Sequence, residues 1–450
     1  MDAFNENLNE QQAQQPMGCL HRFSKTIKVV IIGLLILLLM IPMFMIENLI
    51  SERGRTQEEA IDEVSEKWSL AQTITGPYLN LQYPVVTENN GEKKVSIKDL
   101  ILFPDELMVN GQLKTEILKR SIYEVNVYQS ELTLKGSFSS EELKKSRIDM
   151  DQLQFDRAAI CLNLTDMRGI SEQISITLGD SVYIFEPGMD NRGIDNTGVH
   201  AIANLSELKQ NKKLPYEIKI KLKGSQSLNF IPLGKTTRVD LKANWNTPSF
   251  TGNYLPNNRN ITEKEFSAQW QVLNLNRNYS QVMADYNTSN IKDIENSSFG
   301  VNFKIPVEQY QQSMRSAKYA ILIILLTFGV IFFTEIMNKT RIHALQYLLV
   351  GLALCLFYSL LLSFSEHIGF NPAYLLSSAL TIILVGGYMF GITKKKKPSL
   401  IMSGLLGILY LYIFVLIQLE TFALLAGSLG LFIILAMVMY FSKKIDWFNE

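Results

Sequence analysis

The sequence predicts an α-helical membrane protein of six transmembrane helices carrying an inserted, mainly β extracytoplasmic domain. Three observations lead there. The 450 residues are 47% hydrophobic and only 19% charged, and that apolar content is segregated instead of spread. Apolar residues run almost unbroken over 29–46 and in blocks over 319–441, while residues 47–316 have an ordinary globular composition. Within that middle part the apolar positions alternate with polar ones, the period of a half-buried strand.

Residues 1–28 read as a cytoplasmic tail and 29–46 as the first span, preceded by Arg22, Lys25 and Lys28. An 18-residue apolar core is longer than a cleaved signal peptide carries, and residues 47–55 offer no small-residue exit, so an uncleaved signal anchor is expected. Cys19 precedes the apolar run instead of following it, which argues against lipidation. A capping box, Thr56-Gln57-Glu58-Glu59, predicts that a new helix starts there, with Ala60, Ile61, Val64 and Trp68 as its apolar stripe.

Strands follow. Alternation is clearest in 122–128, 217–222 and 238–242, with further candidates at 158–164, 174–178, 182–185, 268–275 and 301–305. Short strands punctuated by Gly, Asn and Pro predict a sandwich or open barrel. Residues 307–314 read as a helical lead-in to the second span.

A helix rises about 1.5 Å per residue, so crossing about 30 Å of hydrocarbon takes roughly 20 apolar residues. The runs 319–336, 344–364, 373–392, 399–417 and 421–441 meet that length and form a five-helix bundle, with 442–450 as a second tail. Short-loop basic residues stay cytoplasmic. Lys339 and Arg341, Lys394 to Lys397, and Lys443 with Lys444 fall on one side together with Lys28, whereas 365–372 and 418–421 contain no Lys or Arg. Both termini are therefore expected inside and the β domain outside.

Residues 47–316 hold 31 basic against 35 acidic side chains, which disfavours nucleic acid as a partner. The three cysteines, Cys19, Cys161 and Cys355, lie in different regions, so the β domain has no internal disulfide. Of the four histidines, His21 and His343 fall inside and His200 and His367 outside; no metal site is expected. Nucleophile-elbow, zinc-helix and phosphate-loop patterns do not occur, so no catalytic residue or cofactor is expected.

Ionisable residues near bilayer depth are costly and are the better functional clue. Glu335, Lys339 and His343 follow i, i+4, i+8 and are expected to pair along one helix at the cytoplasmic edge. Glu366 and His367 end the third span, with Tyr358, Ser359 and Ser363 one or two turns below. The plainer reading of all of these is interfacial anchoring and helix pairing. Gly387 and Gly391 in the fourth span, and Ser403 with Gly407 in the fifth, predict close backbone approach.

Several segments together resemble the CreD family of bacterial inner-membrane proteins, described as cell envelope integrity proteins. The densest part runs Lys318-Tyr319-Ala320-Ile321-Leu322, Arg341-Ile342-His343, Gln346 to Ala353, Leu356-Phe357-Tyr358 and Leu360 to Phe370. Supporting pieces are Ser51-Glu52-Arg53, Trp68, Gly76-Pro77, Phe250-Thr251-Gly252 with Leu255-Pro256, and Phe299-Gly300-Val301, while Ala344 and Ser121 depart from the family pattern. The resemblance implies an inner-membrane protein with a periplasmic domain, linked to envelope stress and integrity, and supplies no reaction. The leading expectation is a non-enzymatic protein acting through that domain, with membrane lipids and envelope proteins as partners. The alternative is a transporter or lipid-handling protein built on the C-terminal helices.

Overall fold

Ser24–Trp68 is a single helix, α1, of 45 residues. It passes straight through Thr56, where the capping box predicted a start: the Thr56 hydroxyl donates to the Glu52 carbonyl oxygen one turn back, 3.0 Å away, and caps nothing. No proline interrupts the polar half, so the helical ladder continues and the threonine bonds backward within it. The computed structural model describes residues 24–89, 92–146, 148–189, 194–210, 212–284, 288–303, 308–338, 341–419 and 423–443. The expected tails therefore lie largely outside the described residues, as do Lys339, Glu420 and Thr421.

The chain divides into two compact units, Gln57–Pro306 and a second made of Met1–Thr56 with Val307–Glu450. The expected domain of 47–316 is thus trimmed at both ends. Residues 47–56 continue the membrane helix, and the lead-in helix groups with the helical unit.

Among the described residues the Gln57–Pro306 unit contains two sheets. The first has nine strands, running Ser249–Gly252, Phe299–Asn302, Ser227–Phe230, Gln72–Asn89, Ala158–Leu164, Gly198–Ala203 and Glu186–Pro187, with Glu92–Leu102 paired to Gln72–Asn89 and to Val282–Ala284. The second has eight, running Asn258–Ile261, Phe266–Leu273, Thr236–Ala243, Glu106–Arg120, Tyr123–Phe138, Leu214–Ser225, Ser175–Leu178 and Ser181–Ile184. Pairing is antiparallel except where Gln72 to Ile74 meet Leu228 to Phe230, and where Thr236–Ala243 runs beside Glu106 to Leu113.

Alternation puts one face of each sheet into a shared core. Leu79, Leu81, Leu100, Ile160 and Leu162 enter it from the first sheet, and Leu107, Val109, Leu132, Leu134, Ile220 and Leu241 from the second. This is a sandwich, and face-to-face packing is what period-two sequences require. Gly111 lets this core close tightly, because a Cβ there would push aside the side-chain ends of Leu132 and Leu241 on the strands to either side. The outer face of the first sheet is buried too, under a second cluster with Tyr78, Phe103, Cys161, Leu233, Tyr279 and Ile294. That double burial explains why Ala158–Leu164, central in the sheet, is apolar at almost every position and buried at all of them. Two short helices, α2 (Glu141–Lys145) and α3 (Thr288–Asn296), complete the unit.

The other unit is helical. After α4 (Glu308–Lys318) come α5 (Ala320–Asn338), α6 (Ala344–Ile368), α7 (Phe370–Thr393), α8 (Lys396–Gln418) and α9 (Ala423–Ser442). Among the described residues five helices, α1 and α5 to α8, are long and apolar enough to cross a membrane, and α9 contributes the shorter apolar stretch Leu425–Met437.

Candidate functional site

Helix α1 buries Leu39, Met43 and Ile50, spaced so that they share one face. Leu39 lies against Gly351 of α6, where any Cβ would collide with it, and the Cys355 sulfur sits 4.0 Å from the Leu39 carbonyl oxygen. The contact is apolar along its length and ionic near its ends.

At one end Glu335, near the C-terminus of α5, is an ion-pair partner of Lys28. Its carboxylate also accepts from the Ile342 amide at 3.2 Å and from the Tyr347 hydroxyl at 3.2 Å. Lys28 donates further to the Ile342 carbonyl oxygen at 3.0 Å and stands 6.0 Å from the centre of the Tyr347 ring. The expected pairing of Glu335 with His343 along one helix is corrected here. His343 is extended and caps α6, accepting from the Leu345 amide at 3.3 Å. Lys339 lies outside the described residues.

At the other end Glu366 accepts from the Tyr310 hydroxyl of α4 at 3.0 Å and faces the Arg53 guanidinium at 3.9 Å. Both glutamates keep only 11% of their side-chain surface exposed. Lys28 and Arg53 are 25 positions apart on α1, about 37 Å of helix, so the two carboxylates hold opposite ends of one long element. His367 and Ser363 are exposed, and only Tyr358 of that group is buried.

The small-residue prediction for α7 is shifted by one position. A Cβ added at Gly387 or Gly391 would meet nothing within 4 Å, whereas one at Gly386 would run into the Ser403 hydroxyl, and the Ser399 hydroxyl donates to the Gly386 carbonyl oxygen at 2.6 Å. One residue is about 100° of helix, enough to turn Gly387 away from α8.

The β unit holds a polar centre that sequence reasoning missed. Asp166 accepts from the Leu70 amide at 2.9 Å and from the Arg168 amide at 3.0 Å and Nε at 2.9 Å. The Arg168 Nη1 donates to the Glu66 carbonyl oxygen at 2.7 Å, and the Gln72 side chain donates to the Asp166 carbonyl oxygen at 2.8 Å. Burial pushes the Asp166 carboxyl upward, but Arg168 and the two amides outweigh it and hold its pKa below the ordinary value. Only the Asp-x-Arg spacing hinted at it. A second buried charge, Arg277, donates to the Leu233 carbonyl oxygen at 3.1 Å and lies 4.3 Å from the Tyr279 ring centre; burial lowers its pKa.

His200 is held by the Gly188 carbonyl oxygen at 2.7 Å. Among the described residues no three His, Cys, Asp or Glu side chains gather as a metal ligand set. These arrangements pin helices and strand ends together, and what they offer chemically is ionic and hydrogen-bonded anchoring.

The family model described as "Inner membrane protein CreD" matches residues 24–448. A curated protein of Escherichia coli (strain K12), "Inner membrane protein CreD", is 32% identical over 420 residues, 92% of this chain and 91% of that protein.

Proposed function

The chain belongs to the CreD family of inner-membrane proteins, and on that premise we propose that it supports cell envelope integrity, without catalysis, through its β domain. In this reading the chain crosses the inner membrane six times, with α9 as the sixth span, both termini cytoplasmic and the β unit periplasmic. The basic residues of the short connections support that threading. Membrane lipids and envelope proteins are its partners.

The observation that carries the reading is the two-sheet unit inserted between the first and second apolar helices, with the membrane helices tied to one another by Glu335 and Glu366. The carboxylates that would mark a reaction centre are engaged in holding α1, α4 and α5. Deleting the gene should change sensitivity to detergents and bacteriocins, and a truncation lacking residues 57–306 should reproduce that change; an unaltered profile removes the proposal.

One observation favours a second reading, lipid handling. An apolar cleft of about 370 Å³ opens between α5, α8 and α9, lined by Leu325, Gly329, Phe333, Ile408, Tyr412 and Gly430. An acyl chain would fit such walls. If lipid handling is the activity, Gly329→Leu, which fills the cleft, should reproduce the deletion phenotype at unchanged protein abundance; a wild-type response of that variant rejects this second reading.

A further inference from the structure

An open cleft of about 510 Å³ lies at a corner of the sandwich, where the chain leaves Ser249–Gly252, an edge strand of the first sheet, for Asn258–Ile261, an edge strand of the second. Its wall is four side-chain amides, Asn253, Asn257, Gln271 and Asn276, together with Tyr254, Leu255 and Leu273, and it carries no charge. The main chain orients the amides. Asn257 Oδ1 accepts from the Gln271 N–H at 2.8 Å, and Asn276 Oδ1 from the Leu273 N–H at 3.0 Å. An N–H can only donate, so both side chains turn their oxygen to the backbone and keep their NH2 end to offer. Asn253 is held the other way round: its nitrogen donates to the Asn296 carbonyl oxygen, which leaves its own oxygen as an acceptor. Gln271 is exposed and brings one donor group and one acceptor of its own.

The platform beside them is fixed as well. The Tyr254 hydroxyl donates to the Asn276 carbonyl oxygen at 2.8 Å, its ring stands edge-on to Phe299 with centroids 5.8 Å apart, and the Trp270 indole donates to the Tyr254 carbonyl oxygen at 3.2 Å. Next to this anchored tyrosine, Leu255 is 68% exposed and Leu273 38%.

That lining separates the ligand classes. An ion finds no opposite charge on the wall. An added peptide strand needs free main-chain amides, and those of Gln271 and Leu273 are already taken by Asn257 and Asn276. A wholly apolar molecule would cover the amides and leave them without partners. Oriented donors and acceptors beside exposed aliphatic surface match a neutral ring with hydroxyls at its edge and C–H groups on its faces, and groups held in place beforehand lose little freedom on binding. We propose that this cleft is a binding site for a neutral saccharide, whose hydroxyls bond to Asn253, Asn257, Gln271 and Asn276 while a C–H face lies on Leu255.

The test is calorimetric titration of the full-length protein in lipid nanodiscs, which avoid sugar-headed detergents. The probes are short neutral oligosaccharides of glucose, mannose, galactose and N-acetylglucosamine, with acidic oligosaccharides alongside. Saturable binding of a neutral probe, with an affinity that added salt leaves unchanged, is the expected result. Gln271→Ala removes an exposed amide while the main-chain bonds of Asn257 and Asn276 stay in place, and Leu255→Ala removes the aliphatic platform. Each should weaken binding several-fold at an unchanged melting temperature. No saturable binding, binding confined to the acidic probes, or neutral binding that survives both substitutions undiminished overturns the site. Because the readout is binding to purified protein, any of these failures leaves the envelope proposal standing.

Discussion

Asp166 in the β unit is buried and Glu335 in the helical unit is largely so, yet the two carboxylates are satisfied by different kinds of donor. Asp166 collects backbone amides, those of Leu70 and Arg168, together with its neighbour's guanidinium two positions away. Glu335 takes one amide, from the connection after α5, and otherwise depends on the side chains of Lys28 and Tyr347 from two other helices. The difference follows from the elements. Strand ends and tight turns leave backbone N–H groups free, whereas a helix consumes its own in i to i−4 bonds except at its ends. Polar sites in the sandwich can therefore be built locally. Those in the bundle must be assembled from remote side chains, and Tyr358, far from any helix end, finds none among the described residues.

The largest expected effect is on the assembled site. Glu335→Ala leaves Lys28 without its counter-charge and should cost about 3 kcal/mol, read as a lower melting temperature of the purified protein. Replacing both partners, Lys28→Met with Glu335→Leu, should recover much of that loss, because two apolar groups need no pairing. If the double variant is as unstable as Glu335→Ala, the site is not the paired arrangement described.

Next is Asp166→Asn, with an expected cost of about 2 kcal/mol to the β unit, measured by hydrogen exchange at Leu70 and Arg168. Here removal of Arg168 as well should restore nothing, since the backbone amides stay in place. Recovery on double replacement would erase the contrast between the two units.

The same residue sets a pH dependence. Its folded pKa is lowered, so its contribution is complete above the ordinary unfolded carboxylate range, about pH 4, and is lost as pH falls through the lower folded value. Asp166→Asn should flatten that part of the acid-unfolding curve of the β unit. A curve with the same acid slope as wild type would show that the carboxylate is not the group responsible.

The smallest effect is expected at the other end of α1. Tyr310→Phe removes one donor from Glu366 but leaves Arg53 facing it, and should cost about 1 kcal/mol in thermal stability.

The expected runs and the observed helices agree in place. The run at 344–364 lies inside Ala344–Ile368 and that at 373–392 inside Phe370–Thr393. Strands expected from alternation, such as 217–222 and 238–242, sit within Leu214–Ser225 and Thr236–Ala243. Both periods are local, being set by the rise and rotation of the backbone. Where a local signal misled, a stronger neighbour decided. The Thr56 capping box lost to a helix already propagating from 24, and the Gly387 and Gly391 motif lost to the rotation that turns Gly386 toward Ser403. Glu335 and Glu366 stood out as charges at membrane edges, but their partners did not, since Lys28 is 307 positions from Glu335 and Tyr310 is 56 from Glu366.

The sequence by itself determined which parts of this chain seek hydrocarbon and which seek water, which stretches run as helix or strand, and where costly charges fall. Those are properties of composition and short-range period. Tertiary structure decided which charge meets which and which glycine faces a neighbour. Hydrophobic burial is non-directional and additive in apolar area, so it can be read along the chain. Hydrogen bonds and ion pairs depend on distance and angle between remote atoms, and these exist only once the helices and sheets have packed.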